Sequence, residues 1–411
     1  MRKILVTSAC ALTFLMVGGI QAQASEIQSR QSVSTFDELK SALEDNNGIT
    51  NVALSNDIQL TGGIRINANK KVVEIDGQGY KITENPSAVG TSTSNIYISD
   101  ANGTKDVTLK NAIIEGKNYY GTIMISASAT NVDYNVENVT YTGPQFMYNP
   151  QGYSNFRGNN DFTIQSSIGT AAMQEFAEVS GVNISGAFNL TTYTTGSYSA
   201  FWFDHSATKL PSFNVQENAK VNIDSKARQI FYTGQKLDMN VGKNAEVMMS
   251  TSQPLFDAGW MGNLTLGENS IFDVKRFATN WLTYPTLRLN GQLKTLPGAT
   301  FVIENAPETT AVALDTAADS YIDFDSPKLI DLNTHGNTKA VHLLDTTLSF
   351  KSKVSEWRAS NETNLPDFDS VEPFTALLAV NNLDKKIIYS SQVDAFDNLS
   401  IVNARQLQFQ K

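Results

Sequence analysis

The sequence predicts an all-β chain wound as a single-stranded parallel β-helix, or β-solenoid. Three observations carry that reading. Runs of three to six alternating apolar and polar residues recur along the chain, divided by Gly, Asn, Asp and Ser. One short strand with its turn repeats as "ENAKVNI" (217–223), "KNAEVMM" (243–249) and "ENSIFDV" (268–274), with a looser copy in "PGATFVI" (297–303). Helical periodicity is confined to one place. The repeated strand position, held by Val221, Val247, Phe272 and Phe301, recurs after 26, 25 and 29 residues, and a period in this range belongs to a stacked solenoid. A single coil cannot bury its inner face, whereas stacked coils share a continuous core.

The elements follow in order. Met1-Arg2-Lys3, an apolar run from Ile4 to Ile20 and Ala22-Gln23-Ala24 read as a secretory signal, with cleavage expected after Ala24. Thr35 and Glu38 make a capping box before a short helix at 35–45 whose Phe36, Leu39 and Leu43 share one face. That helix is expected to cover the first coil. "KVVEIDGQGYKITE" (71–84) reads as one rung, with Val73 and Ile75 inward and Gly77 and Gly79 at the corner. Each repeat is preceded by another strand: Phe213-Val215, Leu237-Met239-Val241, Leu264-Leu266 and Leu287-Leu289. Residues 50–350 at roughly 25 per coil give about 12 coils, and ~4.8 Å per strand makes a rod about 58 Å long. "EPFTALLAVNNLDKKIIYSS" (372–391) reads as a hairpin, and "LSIVNARQLQF" adds a strand. The expected division is 1–24 signal peptide, 25–350 β-helix and 351–411 C-terminal β cap.

Composition narrows the function classes. Cys10, the only cysteine, leaves with the signal, so the mature chain has no disulfide or cysteine-ligated zinc. A large secreted chain without cysteine points to bacteria, Gram-positive ones above all. The formal charge of −10 becomes −12 once Arg2 and Lys3 leave. Such a chain is expected to be a poor partner for nucleic acid or anionic lipid, and to repel acidic polysaccharide unless calcium or a local basic patch intervenes. No membrane span is expected after the signal.

"FDELKSAL", "ALSNDIQLTGGIRIN", "VEIDGQGYKI", "NYYGTI" and "VENVTYTGPQFMYNPQG" resemble, in this order, the pectate-lyase-like adhesive domain of Firmicutes cell-surface proteins. The resemblance runs from about 33 to 350, and "YTGPQ…YNP" (141–150) is its most specific part. It implies a right-handed parallel β-helix with an adhesive role, and it brings no catalytic residues. The chain ends in Gln408-Phe409-Gln410-Lys411 without an LPxTG motif, and Trp281-Leu282 is an isolated pair rather than a wall-binding WxL module.

"FWFDH" (201–205) looks like the Trp-x-Asp-His strand of true pectate lyases, but the following Arg-x-Pro-x-x-Arg is absent and Arg228 stands alone. "YIDFDSP" (321–327) puts Asp323 and Asp325 on one outer strand face, short of the paired flanking carboxylates of a glycosidase. "DANGTKD" (100–106) lacks EF-hand spacing, and His205, His335 and His342 lack a zinc pattern. "THGN" (334–337) reads as a turn. No catalytic, cofactor-binding or metal-ligating residue is assigned. The ligand-surface candidates are Tyr119, Tyr120, Tyr141, Tyr148 and Tyr153, since aromatic faces suit sugar rings.

The expected function is that of a secreted, extracellular or wall-associated adhesin-like protein that binds a glycan or host matrix ligand and catalyses nothing. The alternatives are a polysaccharide lyase or glycoside hydrolase with a diverged site, and a structural partner of other wall-associated proteins. A cell-wall-anchored protein is a further candidate partner.

Overall fold

A computed structural model describes residues 30–85, 96–99, 103–166, 172–195, 198–203, 210–277, 283–335, 338–358, 365–381, 385–392 and 400–411. The signal segment with Ala24 lies outside these residues, as do Asp204, His205, Trp281, Leu282 and the hairpin turn 382–384.

Parallel strands stack in three columns around one apolar core. The first column carries Val52, Ile75, Leu109, Val136, Phe156, Ile184, Val215, Val241 and Leu266 in register, each almost wholly buried. In the third column Ile58, Ile82, Ile114, Tyr141, Phe162, Leu190, Ile223, Met249, Val274, Ile303 and Leu332 stack likewise. Those eleven rungs enclose ten turns rather than twelve. Turn length varies from the 21 residues between Tyr141 and Phe162 to the 33 between Leu190 and Ile223, because loops between columns absorb extra residues while the rungs do not. Ten steps of ~4.8 Å make about 48 Å of rod.

The repeated strand copies fall in register as their spacing predicts: Val221 on Val247, Val247 on Phe272, and Phe272 on Phe301. The strand preceding the fourth copy does not. Leu293 and Thr295, rather than Leu287 and Leu289, pair with Leu264 and Leu266. The long strand Leu287–Thr295 serves two columns, and its register shifts beside Gly262 and Gly291. A Cβ on Gly291 would lie 2.0 Å from the Gly262 carbonyl, so only glycine lets the backbones meet there.

A corner between the first and third columns is built from left-handed residues. At the Gly77 rung a Cβ would fall 2.6 Å from the Asn111 carbonyl, and Gly79 has φ +83°. Further along, asparagine takes the corner: Asn111, Asn138, Asn218, Asn244 and Asn269 all have φ between 50° and 62°. Asparagine tolerates this conformation better than most residues. Its amide also links the coils, Asn111 donating to Asp76 (3.0 Å), Asn138 to Asn111 (3.2 Å) and Asn244 to Asn218 (3.2 Å).

The helix spans Phe36–Glu44 and buries Leu39, Ala42 and Leu43 against the first coils. Thr35 Oγ1 accepts from the Glu38 N–H (3.2 Å), but Glu38 accepts from the N–H of Ser34 (2.7 Å) rather than of Thr35. The box is closed one residue earlier than its motif predicts.

At the far end the strand Thr346–Trp357 crosses the expected boundary at 350. Phe374–Val380 pairs with it antiparallel, and Lys385–Ser390 completes the predicted hairpin. Gln406–Gln410 runs antiparallel between Leu329–Asn333 and Lys353–Trp357, closing the third column.

Candidate functional site

The second column combines the leading ends of longer strands, such as Met147–Arg157 and Ala177–Ile184, with three-residue strands whose outer residues are in and whose middle residue is out. Ile96-Tyr97-Ile98, Ile123-Met124-Ile125 and Phe201-Trp202-Phe203 all show it. Parallel register stacks the outward residues into one stripe along the rod: Arg65, Tyr97, Met124, Tyr148, Glu178, Trp202 and Tyr232. The Arg65 guanidinium sits 5.5 Å from the Tyr97 ring centre. Trp202 and Tyr232 lie nearly parallel with centroids 3.7 Å apart. Further along, Arg288 lies 3.8 Å over Trp260, and in-register Asp315 meets His342 at 2.6 Å.

Tyr119 and Tyr120 reach this stripe from the preceding loop. Tyr120 packs edge-on against Tyr148 at 4.7 Å, with Tyr119 6.4 Å away. Tyr120 has φ 67°, a conformation unfavourable to a bulky side chain by about 1–3 kcal/mol. Its N–H donates to Gln145 Oε1 (3.2 Å), and Gly121 behind it has no room for a Cβ, which would fall 1.9 Å from the Phe146 carbonyl. The backbone is therefore held to present the ring. Burial, and then the nearby Glu178 and Glu175 carboxylates, raise the Tyr120 hydroxyl above the usual tyrosine value. Glu175 is 3% exposed, and its Oε2 has no hydrogen-bond partner among the described residues.

The five predicted tyrosines do not form one surface. Tyr119, Tyr120 and Tyr148 belong to the stripe. Tyr141 is a core residue of the third column, 1% exposed, packed edge-on against Phe146 and donating its hydroxyl to the Gln145 carbonyl. Burial removes it from any ligand surface. Tyr153 is half-buried on the first column, where its ring covers Gly181. Trp202, Tyr232 and Glu178 were missed. Trp202 and Tyr232 are the single outward residues of three-residue strands and Glu178 lies at the start of the eight-residue strand Ala177–Ile184, so their kinship shows only once register is known.

The outer face of the third column carries a groove of about 390 Å³ lined by Asn222, Asp224, Met248, Ser250, Asp273 and Lys275, among others. Asp224 and Asp273 each have a buried Oδ1 without a hydrogen-bond partner among the described residues. Burial raises the Asp273 carboxyl, with Glu304 adding to the rise and Lys275 opposing it. Asn189 donates to Asp161 (2.8 Å) and Asn222 to Asn189 (2.9 Å) along its rim.

The remaining motifs fall elsewhere. Asp323 and Asp325 face outward from the first column, with Ile322 and Phe324 inward, and neither lines the groove. His335 meets Glu304 at 3.1 Å. The carbonyl of Arg228 accepts from Ser225 and Thr251, a turn role. The Asp204 and His205 of the lyase-like strand lie outside the described residues. Among the described residues no three His, Cys, Asp or Glu side chains gather as metal ligands. Nor is any helix among them long and apolar enough to cross a membrane.

No curated protein matches the chain. Among solved structures, "L. reuters 100-23 SRRP" aligns at 17% identity and TM-score 0.41, covering 71% of this chain and 83% of that one. "L. reuteri 53608 SRRP" aligns at 16% identity and TM-score 0.32, covering 78% and 98%. Likenesses this distant do not bear on function. The sequence match is sharper: residues 30–148, which hold Tyr97, Tyr119, Tyr120 and Tyr148, match the family described as "putative pectate lyase-like adhesive domain".

Proposed function

We propose that this protein is a secreted or cell-surface adhesin that binds a glycan or extracellular-matrix ligand along the second-column stripe, without catalysis. The observation that carries the reading is the register of Tyr148, Glu178, Trp202 and Tyr232 on one lateral face, with Tyr120 held against them. Flat aromatic rings beside a carboxylate suit sugar rings, whose faces are apolar and whose edges carry hydroxyls. The adhesive-domain match over residues 30–148 supports the same role. Retention at the surface through a cell-wall-anchored protein, and export through the N-terminal signal, belong to the same proposal.

A diverged hydrolase has one observation in its favour, the groove that holds Asp224 and Asp273. One experiment separates the readings. The mature chain is applied to a glycan and matrix-protein array with product analysis. Adhesion predicts retention without product, weakened by Trp202→Ala. Release of shortened glycan, abolished by Asp273→Asn, overturns it.

A further inference from the structure

We propose that the groove on the outer face of the third column is a second glycan site, which seats one non-acidic sugar residue over Met248, between Asn222 and Asp273, without cleaving it. This takes the class of ligand from the glycan-binding reading above and adds a site on another face of the rod.

The hollow follows from register. Three adjacent rungs each place two outward side chains there: Asn222 and Asp224, Met248 and Ser250, Asp273 and Lys275. Ser250 is the shortest of the six and stands between Asp224 and Lys275, so its row dips in the middle. The resulting groove of about 390 Å³ lies within the ~300–1,000 Å³ of small-molecule sites.

The ligand's chemistry follows from what these rungs leave unanswered. An amide ladder climbs the row from Asp161 through Asn189 to Asn222, each asparagine donating to the residue before it. The next rung is Met248, which has no donor for the Asn222 carbonyl oxygen, and the ladder stops. Met248 is 36% exposed and puts an apolar surface at the middle of the groove. On its far side Asp273 is half-buried, and neither of its carboxylate oxygens has a hydrogen-bond partner among the described residues. Two acceptors thus flank an apolar floor. A sugar ring answers both, with an apolar face edged by hydroxyl donors. Two steps of ~4.8 Å separate the Asn222 and Asp273 rungs, so one ring over Met248 meets each of them.

Charge narrows the choice of sugar. Lys275 is already paired with Glu304 (3.8 Å), and a uronic acid would meet like charge at Asp273. Cleavage would need a second carboxylate across the glycosidic bond. Asp224 is the other carboxylate lining the groove, but Lys226 holds its Oδ2 and its Oδ1 is buried.

The test is an NMR titration of the mature chain, its methionine methyls labelled with carbon-13. The probes are the methyl glycosides of glucose, galactose and mannose, and those of the three corresponding uronic acids. At least one neutral glycoside should shift the Met248 signal, identified by its loss in Met248→Leu, while the buried Met239 and Met261 stay fixed. The matching uronic acid should bind about tenfold or more weakly. Asp273→Ala should cost the neutral glycoside about tenfold in affinity, and Ser250→Phe, which fills the hollow, should abolish the shift. Unchanged Met239 and Met261 signals show that both variants are folded. No Met248 shift with any neutral glycoside, equal or tighter binding of the uronic acid, or an unaffected Asp273→Ala overturns the inference and leaves the stripe reading standing. Methanol released from the glycoside overturns both, in favour of a hydrolase. Failure to retain any glycan or matrix protein on the array, with the Met248 shift intact, sinks the stripe reading alone.

Discussion

Trp202 lies against Tyr232 on the outside of the rod, their ring planes 21° apart and their centroids 3.7 Å apart. Two aromatic residues 30 positions apart are joined because their strands are adjacent rungs of one column. Such a pair contributes about 0.5–1.5 kcal/mol beyond its buried area.

Trp202→Ala should therefore cost the fold little, and the ligand much. The outward ring can be removed without opening a core cavity, so urea unfolding should show a loss of about 1 kcal/mol. Retention on the array's best ligand should fall about tenfold or more, as for the removal of an aromatic anchor. A loss of several kcal/mol in stability, with affinity intact, would show that the stack is a structural clasp.

Glu84 tests the interior. It is fully buried and accepts from Thr122 Oγ1 (2.7 Å), the N–H groups of Lys117 (2.7 Å) and Asn118 (2.8 Å), and Asn118 Nδ2 (2.8 Å). The carboxylate thus ties the 116–122 loop, which presents Tyr119 and Tyr120, to the core. Glu84→Ala removes all four bonds and should destabilise by about 3–5 kcal/mol, in the range for uncoupling a buried polar network.

The same residue makes stability depend on pH. Burial raises its carboxyl above the ordinary 4.5, against the pull of its four donors. A raised folded value means that its contribution is full below 4.5 and is lost as pH rises through the folded value. Urea midpoints measured upward from pH 4.5 should fall more in the natural protein than in Glu84→Gln, which cannot ionise. Parallel profiles would place the titration elsewhere.

Asn244 stands in the middle of a corner ladder, with φ 55°, donating to Asn218 and accepting from Asn269. Asn244→Ala loses both amide links and forces alanine into the left-handed region, an expected cost of about 2 kcal/mol. Asn244→Gly keeps the backbone conformation and should recover about 1 kcal/mol of it. Equal losses by urea unfolding would remove backbone conformation from the explanation.

The fold was legible where spacing is regular. From Val221 to Phe301 the period alone sets the register, since every turn there has a similar length. It fails at Leu287-Leu289, where a strand runs on through two columns and a glycine pair shifts the register. Coil number was overcounted for a related reason. Loops such as the one that lengthens the Leu190–Ile223 turn add residues without adding rungs. The stripe was half legible. Tyr119, Tyr120 and Tyr148 crowd the sequence, whereas Trp202 and Tyr232 are isolated in it and gather only through stacking. Tyr141 was misplaced because alternation allows either face to a tyrosine, and its hydroxyl finds the Gln145 carbonyl inside.

The last strand changes how the rod ends. A column of parallel rungs is a template, and each rung leaves a surface on which another of the same direction could grow, in the same chain or the next. Gln406–Gln410 enters the third column reversed, and both of its edges are already taken by Leu329–Asn333 and Lys353–Trp357. Beyond it Lys353–Trp357 runs again in the direction of Leu329–Asn333, and antiparallel Phe368–Asp369 covers that strand at Ser355 and Glu356. The third column therefore ends on a two-residue strand rather than on a full rung, and so short an edge offers little for another strand to pair with.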